Sequence, residues 1–188
     1  SQNGGGIRLT GSLNLTNVTV NSNSGADGGG VYLTGDLVSN NSSFDHNHSN
    51  ADGGGVYVNG TASFVESNII ENLTGQDGGG IWANGTLSLD QSSVIDNTAN
   101  SEGGGIYGTG TLNIGFSELN DNSASADGGG LWWGSGQVTV ERSDILHNSS
   151  NRGGGVFILA ENPIFQFDVI SHNDATTIGG GMYLSKSA

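Results

Sequence analysis

Apolar residues recur in this chain as i, i+2 pairs, and the pairs themselves recur every 24 to 26 residues. The first members are Ile7, Val31, Val56, Ile81, Ile106, Leu131, Val156 and Met182; the second positions hold Leu9, Leu33, Val58, Ala83, Gly108, Trp133, Ile158 and Leu184. A period of two puts both members on one face of a strand and the residue between them on the other. Next comes a Thr-Gly or Asn-Gly, as at Thr34-Gly35 and Asn84-Gly85, which predicts a sharp turn because glycine accepts a positive φ. A second apolar pair follows, such as Ala62 with Phe64 or Leu87 with Leu89, and predicts a second short strand. The third ends in apolar-x-x-Asn, from Phe44 to Asn47, Ile69 to Asn72 and Val94 to Asn97, with a small polar column, Ser42, Ser67, Ser92, Ser117 and Ser143, two residues before the apolar member.

Gly-Gly-Gly precedes the first pair eight times, starting at residues 4, 28, 53, 78, 103, 128, 153 and 179. A period that steady predicts one solenoid domain over residues 1–188. Its fold class is all-β: a single-stranded parallel β-helix of seven to eight coils, about 25 residues and three short strands per coil. Stacked about 4.8 Å apart, each apolar residue lands on its equivalent and the interior becomes continuous. Right-handed winding is expected from the general preference of parallel crossovers. Residues 179–188 read as a coil cut short, so the chain is expected to be part of a longer one or to lack caps. Open strand edges at the two ends predict end-to-end self-association.

Composition narrows the classes. Glycine fills 35 of 188 positions, yet the fixed offsets of the aliphatic residues argue against disorder. Four Lys and Arg against eighteen Asp and Glu give a net charge of −14, which repels nucleic acid and anionic membranes. With no cysteine, disulfides and thiolate metal sites are excluded, and no apolar run is long enough for a transmembrane segment.

Four columns carry candidate chemistry. Between the inward positions of the first strand lie Arg8, Tyr32, Tyr57, Trp82, Tyr107, Trp132, Phe157 and Tyr183. Period two turns them outward as an aromatic ladder, with glycines beside them to let the rings lie flat. Such a ribbon is read either as ring stacking that fixes register or as a contact surface for sugar or protein. Before the triplets stand Asp27, Asp52, Asp77, Glu102 and Asp127, and the column then changes to Arg152 and Ile178. Either the amides of the following glycines compensate these carboxylates, or Ca²⁺ bridges successive coils. Asn23, Asn47, Asn72, Asn97, Asn122, Asn148 and Asn173 are expected to form a structural amide ladder, and the residue before each reads His46, Glu71, Asp96, Asp121, His147 and His172 from the second coil on. No catalytic residue stands out, because Arg8, Arg142, Arg152 and Lys186 are dispersed and no insertion walls a cleft. The largest departures from the repeat are Trp132 to Gly136 and Leu159 to Pro163.

The Gly-Gly-Gly-aliphatic-aromatic segment, for example Gly53 to Tyr57, with Phe44-Asp45-His46-Asn47 before it, resembles the repeats of polymorphic outer membrane proteins, the passenger regions of autotransporter adhesins. The chain departs from that pattern with Gly for Ala at the third position and only one literal Phe-x-x-Asn. The resemblance implies a pectate-lyase-like right-handed β-helix that is secreted or displayed at the cell surface. The expected function is adhesion or scaffolding through a flat aromatic and acidic face that meets a polysaccharide or a cell-surface protein, with no cofactor required. The alternative is a polysaccharide lyase or glycoside hydrolase of the β-helix type.

Overall fold

The computed structural model describes residues 2–185 and contains only strands, turns and bends. Every strand pairing is parallel and joins equivalent residues of successive coils: Val31 with Val56, Ile81 with Ile106, Phe44 with Ile69. The chain is therefore a parallel β-solenoid of three sheets, with strands stacked in chain order.

Three strands per coil are present, but their boundaries differ from the sequence reading. The first and second expected strands are one ten-residue strand, as in Val31–Asn40, Val56–Val65, Ile81–Asp90 and Ile106–Gly115. The Thr-Gly and Asn-Gly steps lie inside it and do not turn the chain. Leu33 and Leu37 are four positions apart, an even offset, so one unbroken alternation keeps both inward and puts Gly35 between them on the same face. The glycine is needed for another reason. Gly35, Gly60, Gly85 and Gly110 have φ between 131° and 144° except for 105° at Gly110. A Cβ on any of them would come within 2.1–2.2 Å of the carbonyl oxygen of the glycine one coil below.

The second sheet is built from the apolar-x-x-Asn segments, as in Ser43–Asp45 and Asn68–Ile70. The third comes mostly from two-residue strands that the sequence pattern did not reveal, such as His48–Ser49, Leu73–Thr74 and Thr98–Ala99, and lengthens to Ser149–Arg152 and Asp174–Ile178 in the last coils. Two residues are too few to show an alternation.

Three corners close each coil. Non-glycine residues in the left-handed region make two of them, for example Gln91 (φ 49°) and Asp96 (φ 55°), and the first glycine of the triplet makes the third, for example Gly103 (φ 64°). Serine follows the first corner and stitches it upward: the Ser67 backbone N–H donates to Ser92 Oγ at 3.1 Å, and the Ser67 hydroxyl donates to the Val65 carbonyl at 2.9 Å. Inside lies one continuous apolar core, with Leu33, Phe44, Phe64, Ile81, Leu112 and Leu119 among its fully buried members. Each such side chain contributes about 1.5–3 kcal/mol by leaving water.

Coil six breaks the pattern. Its extra residue in Gly134-Ser135-Gly136 splits the long strand into Leu131–Trp133 and Val138–Glu141. Trp133 points inward, is fully buried, and fills the space above Gly108, where a Cβ would meet its ring at 2.4 Å. Its indole N–H donates to the Gly110 carbonyl at 3.1 Å. The departure at Trp133 is thus a large-for-small exchange in the core between neighbouring coils.

Candidate functional site

The outer face of the long-strand sheet carries the aromatic column. Its neighbours Val56 and Val58 are fully buried, so Tyr57 faces out, and the same alternation with buried neighbours holds from Tyr32 to Phe157. Centroids of Tyr32 and Tyr57 are 4.8 Å apart, Tyr57 and Trp82 4.2 Å, Tyr107 and Trp132 4.4 Å, and Phe157 and Tyr183 4.9 Å, with ring planes within 12° of parallel. Parallel rings that close cannot lie side by side in one plane, so they overlap like shingles. The rings therefore do not lie flat on the sheet, contrary to expectation, and the partner of each ring face is mostly the next ring. Overlap loosens at two steps, Trp82 to Tyr107 (6.2 Å) and Trp132 to Phe157 (6.3 Å). Trp132 and Phe157 are only 8% and 4% exposed. Trp132 lies against Gly134, where a Cβ would come within 2.8 Å of its ring.

The carboxylate column runs beside the rings. Asp27 Oδ1 accepts from the Asp52 backbone N–H at 3.4 Å, Asp52 Oδ1 from Asp77 at 3.2 Å, and Asp77 Oδ1 from Glu102 at 3.0 Å. The expected donors, the amides of the following glycines, are engaged elsewhere: Gly53 N–H donates to the Asp77 carbonyl at 3.0 Å and Gly54 N–H to that of Gly78 at 3.1 Å. Stacking of the triplets uses those amides up. Mutual repulsion remains in the column. Burial first, then Asp77 and Asp127, pushes the Glu102 carboxyl up to about 7, with Arg152 opposing. Asp52 is raised by burial, against the N–H of Asp77, and further by the charges of Asp77 and Asp27. The same field reaches the rings: Tyr57 is pushed up to about 12 by burial, then Tyr32, Asp27 and Asp52, and Tyr107 to about 12 by burial, then Asp77, Glu102 and Asp52.

At Asp127 the column changes character. Asp127 is 3% exposed and is gripped by Arg152 of the next coil, Nε to Oδ1 at 2.8 Å and Nη2 to Oδ2 at 2.5 Å. The same guanidinium lies over Phe157 (5.1 Å to the centroid) and Tyr183 (5.9 Å). Glu102, Asp127, Trp132, Arg152, Phe157 and Tyr183 share one groove of about 220 Å³. The change of sign from Asp127 to Arg152 is visible in the sequence, and the register of 25 residues puts the two on adjacent coils. What the sequence could not supply was the simultaneous contact with the rings.

Among the described residues no group of three or more His, Asp or Glu is arranged to hold a metal ion. Asp27, Asp52, Asp77, Glu102 and Asp127 supply one carboxylate per coil, turned along the column. Of the corner residues His46, Glu71, Asp96, Asp121, His147 and His172, four form local pairs: His46 Nε2 lies 2.5 Å from Glu71 Oε2, and the His147 and His172 rings stack at 5.0 Å, while Asp96 and Asp121 repel one another. Lys186 lies outside the described residues.

The asparagines form a continuous hydrogen-bonded column. Asn97 Oδ1 accepts from both the backbone N–H (3.0 Å) and the Nδ2 (2.9 Å) of Asn72, and its own Nδ2 donates to the Ile69 carbonyl at 2.9 Å. Equivalent bonds run from Asn23 through Asn47, Asn122 and Asn148 to Asn173. All the side chains from Asn47 to Asn148 are buried and saturated, so this column holds the corner and offers nothing to a ligand.

An exposed cluster that sequence reading passed over sits at the first corner. Phe116 (56% exposed) and Phe167 (78%) flank Arg142, whose guanidinium lies 5.4 Å and 5.2 Å from their centroids and pairs with Glu141.

Comparison with known families gives one match: the Chlamydia polymorphic membrane protein repeat, over residues 91–109. That stretch runs from the corner at Gln91 through Ser92, Asn97 and Glu102 to Tyr107 of the ladder, so it crosses the serine, amide, carboxylate and ring columns. No curated protein and no solved structure matches the chain. No helix among the described residues is long and apolar enough to cross a membrane.

Proposed function

We propose that the chain is a surface-displayed or secreted adhesion scaffold whose contact face is the outer side of the long-strand sheet. The observation that carries this reading is the ring column itself, seven aromatic side chains in register on an outward face with a carboxylate column beside them. The family match supports the surface setting, since the repeat it describes belongs to membrane proteins of that kind. Rings that overlap present edges and tyrosine hydroxyls to a partner in place of open faces, which suits protein contact better than the stacking of sugars.

An adhesion assay with the purified chain on beads tests this, scored against host cells and against immobilised polysaccharides. Trp82→Ala and Tyr57→Ala should lower attachment at least fivefold with the circular dichroism of the solenoid unchanged. Attachment indifferent to both substitutions would overturn the reading. Depolymerisation of a polysaccharide that disappears on replacing a single carboxylate would establish the enzymatic alternative in its place.

A further inference from the structure

We infer that the ring and carboxylate columns together form a binding site for an arginine-bearing segment of a partner protein, each cationic side chain held between a carboxylate and an aromatic ring. The inference rests on the contact-face reading above and names the chemistry of its partner.

The chain carries its own example of this recognition. Arg152 places two nitrogens on the Asp127 carboxylate and its guanidinium over Phe157 and Tyr183. At the opposite end Arg8 lies 6.0 Å from the Tyr32 centroid. A planar guanidinium fits both partners at once, because it pairs bidentately with a carboxylate and is attracted to a π system. Arg152 thus meets a carboxylate of the coil before it and rings of its own coil and the next; the equivalent sets in earlier coils are Asp27 with Tyr57 and Trp82, and Asp52 with Trp82 and Tyr107, and there the column carries a carboxylate in place of the arginine. Here the carboxyls repel one another and the field of the column reaches the tyrosines. A bound guanidinium would relieve that repulsion, and a chain of net charge −14 would draw a cationic segment in from solution.

A second observation points to a ligand in the groove at the Arg152 end of the two columns. Trp132 lines it, is 8% exposed, and its indole N–H is buried without an acceptor. Buried donors are nearly always satisfied, and a peptide carbonyl of a docked segment is a fitting acceptor.

Calorimetric titration of the whole chain with octa-arginine tests the inference. Asp52→Asn with Asp77→Asn should weaken binding at least tenfold. These replacements keep the Oδ1 that accepts from the next coil, so the fold is retained. Trp82→Leu should weaken it about fivefold at unchanged charge. Asp96→Asn with Asp121→Asn removes the same charge from a different column and should change affinity less than twofold. Equal losses from the two double variants, or no dependence on Trp82, would mean attraction to net charge alone and would overturn the inference. If octa-arginine fails to bind while attachment to cells still depends on Trp82 and Tyr57, the arginine site falls and the contact face stands. If attachment too is indifferent to those residues, the contact face falls.

Discussion

Asn97 shows how much one amide can settle at a corner of the coil. Its neighbour Asp96 takes a left-handed conformation (φ 55°), which leaves local backbone groups without sheet partners. The Asn97 side chain satisfies three of them or their equivalents: the Asn72 N–H, the Asn72 Nδ2 and the Ile69 carbonyl. Asn97→Ala would leave these groups buried and unpaired. We expect a loss of about 2–4 kcal/mol in urea unfolding, against less than about 1 kcal/mol for Asn23→Ala on the partly open first coil. That the asparagines form a column was legible in the sequence, since an identical residue at a fixed offset stacks on itself in any in-register solenoid. The outward direction of Tyr57, Trp82 and Tyr107 was legible too, from alternation with buried aliphatics. Their shingled overlap was not, because ring tilt depends on side-chain torsions that the pattern does not encode.

Strands and corners obey a different logic. The long strand survives the Thr-Gly and Asn-Gly steps because five glycines stack into one column where backbones pass within reach of each other. Gly60→Ala would drive a Cβ to 2.2 Å from the Gly35 carbonyl oxygen, whereas Gly11, at the start of the column, has open space around the added carbon. Both keep an unfavourable φ, 144° and 125°. Thermal and urea unfolding should therefore show Gly11→Ala costing about 1 kcal/mol, the conformational term alone, and Gly60→Ala costing about 3 kcal/mol or more through backbone displacement. Equal costs at the two sites would show that the close approach is unimportant. The turn chemistry that suggested a corner at these steps is sound for an isolated hairpin; the even spacing from Leu33 to Leu37 outweighs it here, since a corner would have turned one apolar pair away from the core.

For the whole molecule, the dominant fact is a column of carboxyls with few cations to answer it. Glu102 binds its proton more tightly in the folded chain (about 7) than at its ordinary value of 4.5. Stability from such a group is present at low pH and is lost as pH rises from about 4.5 through 7; the upward displacement of Asp52 acts in the same sense. The solenoid should thus gain stability on acidification from pH 8 to 5, by roughly 1 kcal/mol for Glu102 after solvent screening, and Glu102→Gln should remove that share. Melting temperatures across this range provide the check; a midpoint that falls steadily on acidification would contradict the account. The same unneutralised charge underlies the proposed attraction for an arginine-bearing partner.

By itself the sequence determined the period, the all-β class, the inward and outward sets, and the existence of ring, carboxylate and amide columns. All of these follow from repetition: equal residues at equal offsets must stack once the coils are parallel and in register. Only the tertiary structure decided that two expected strands are one, that a third sheet forms mostly from two-residue segments, that the glycine amides serve the backbone and not the carboxylates, and that Arg152 grips Asp127 while lying over two rings. Those outcomes depend on distances between neighbouring coils, where a few tenths of an ångström separate a hydrogen bond from a clash, and a one-dimensional pattern carries no such distances.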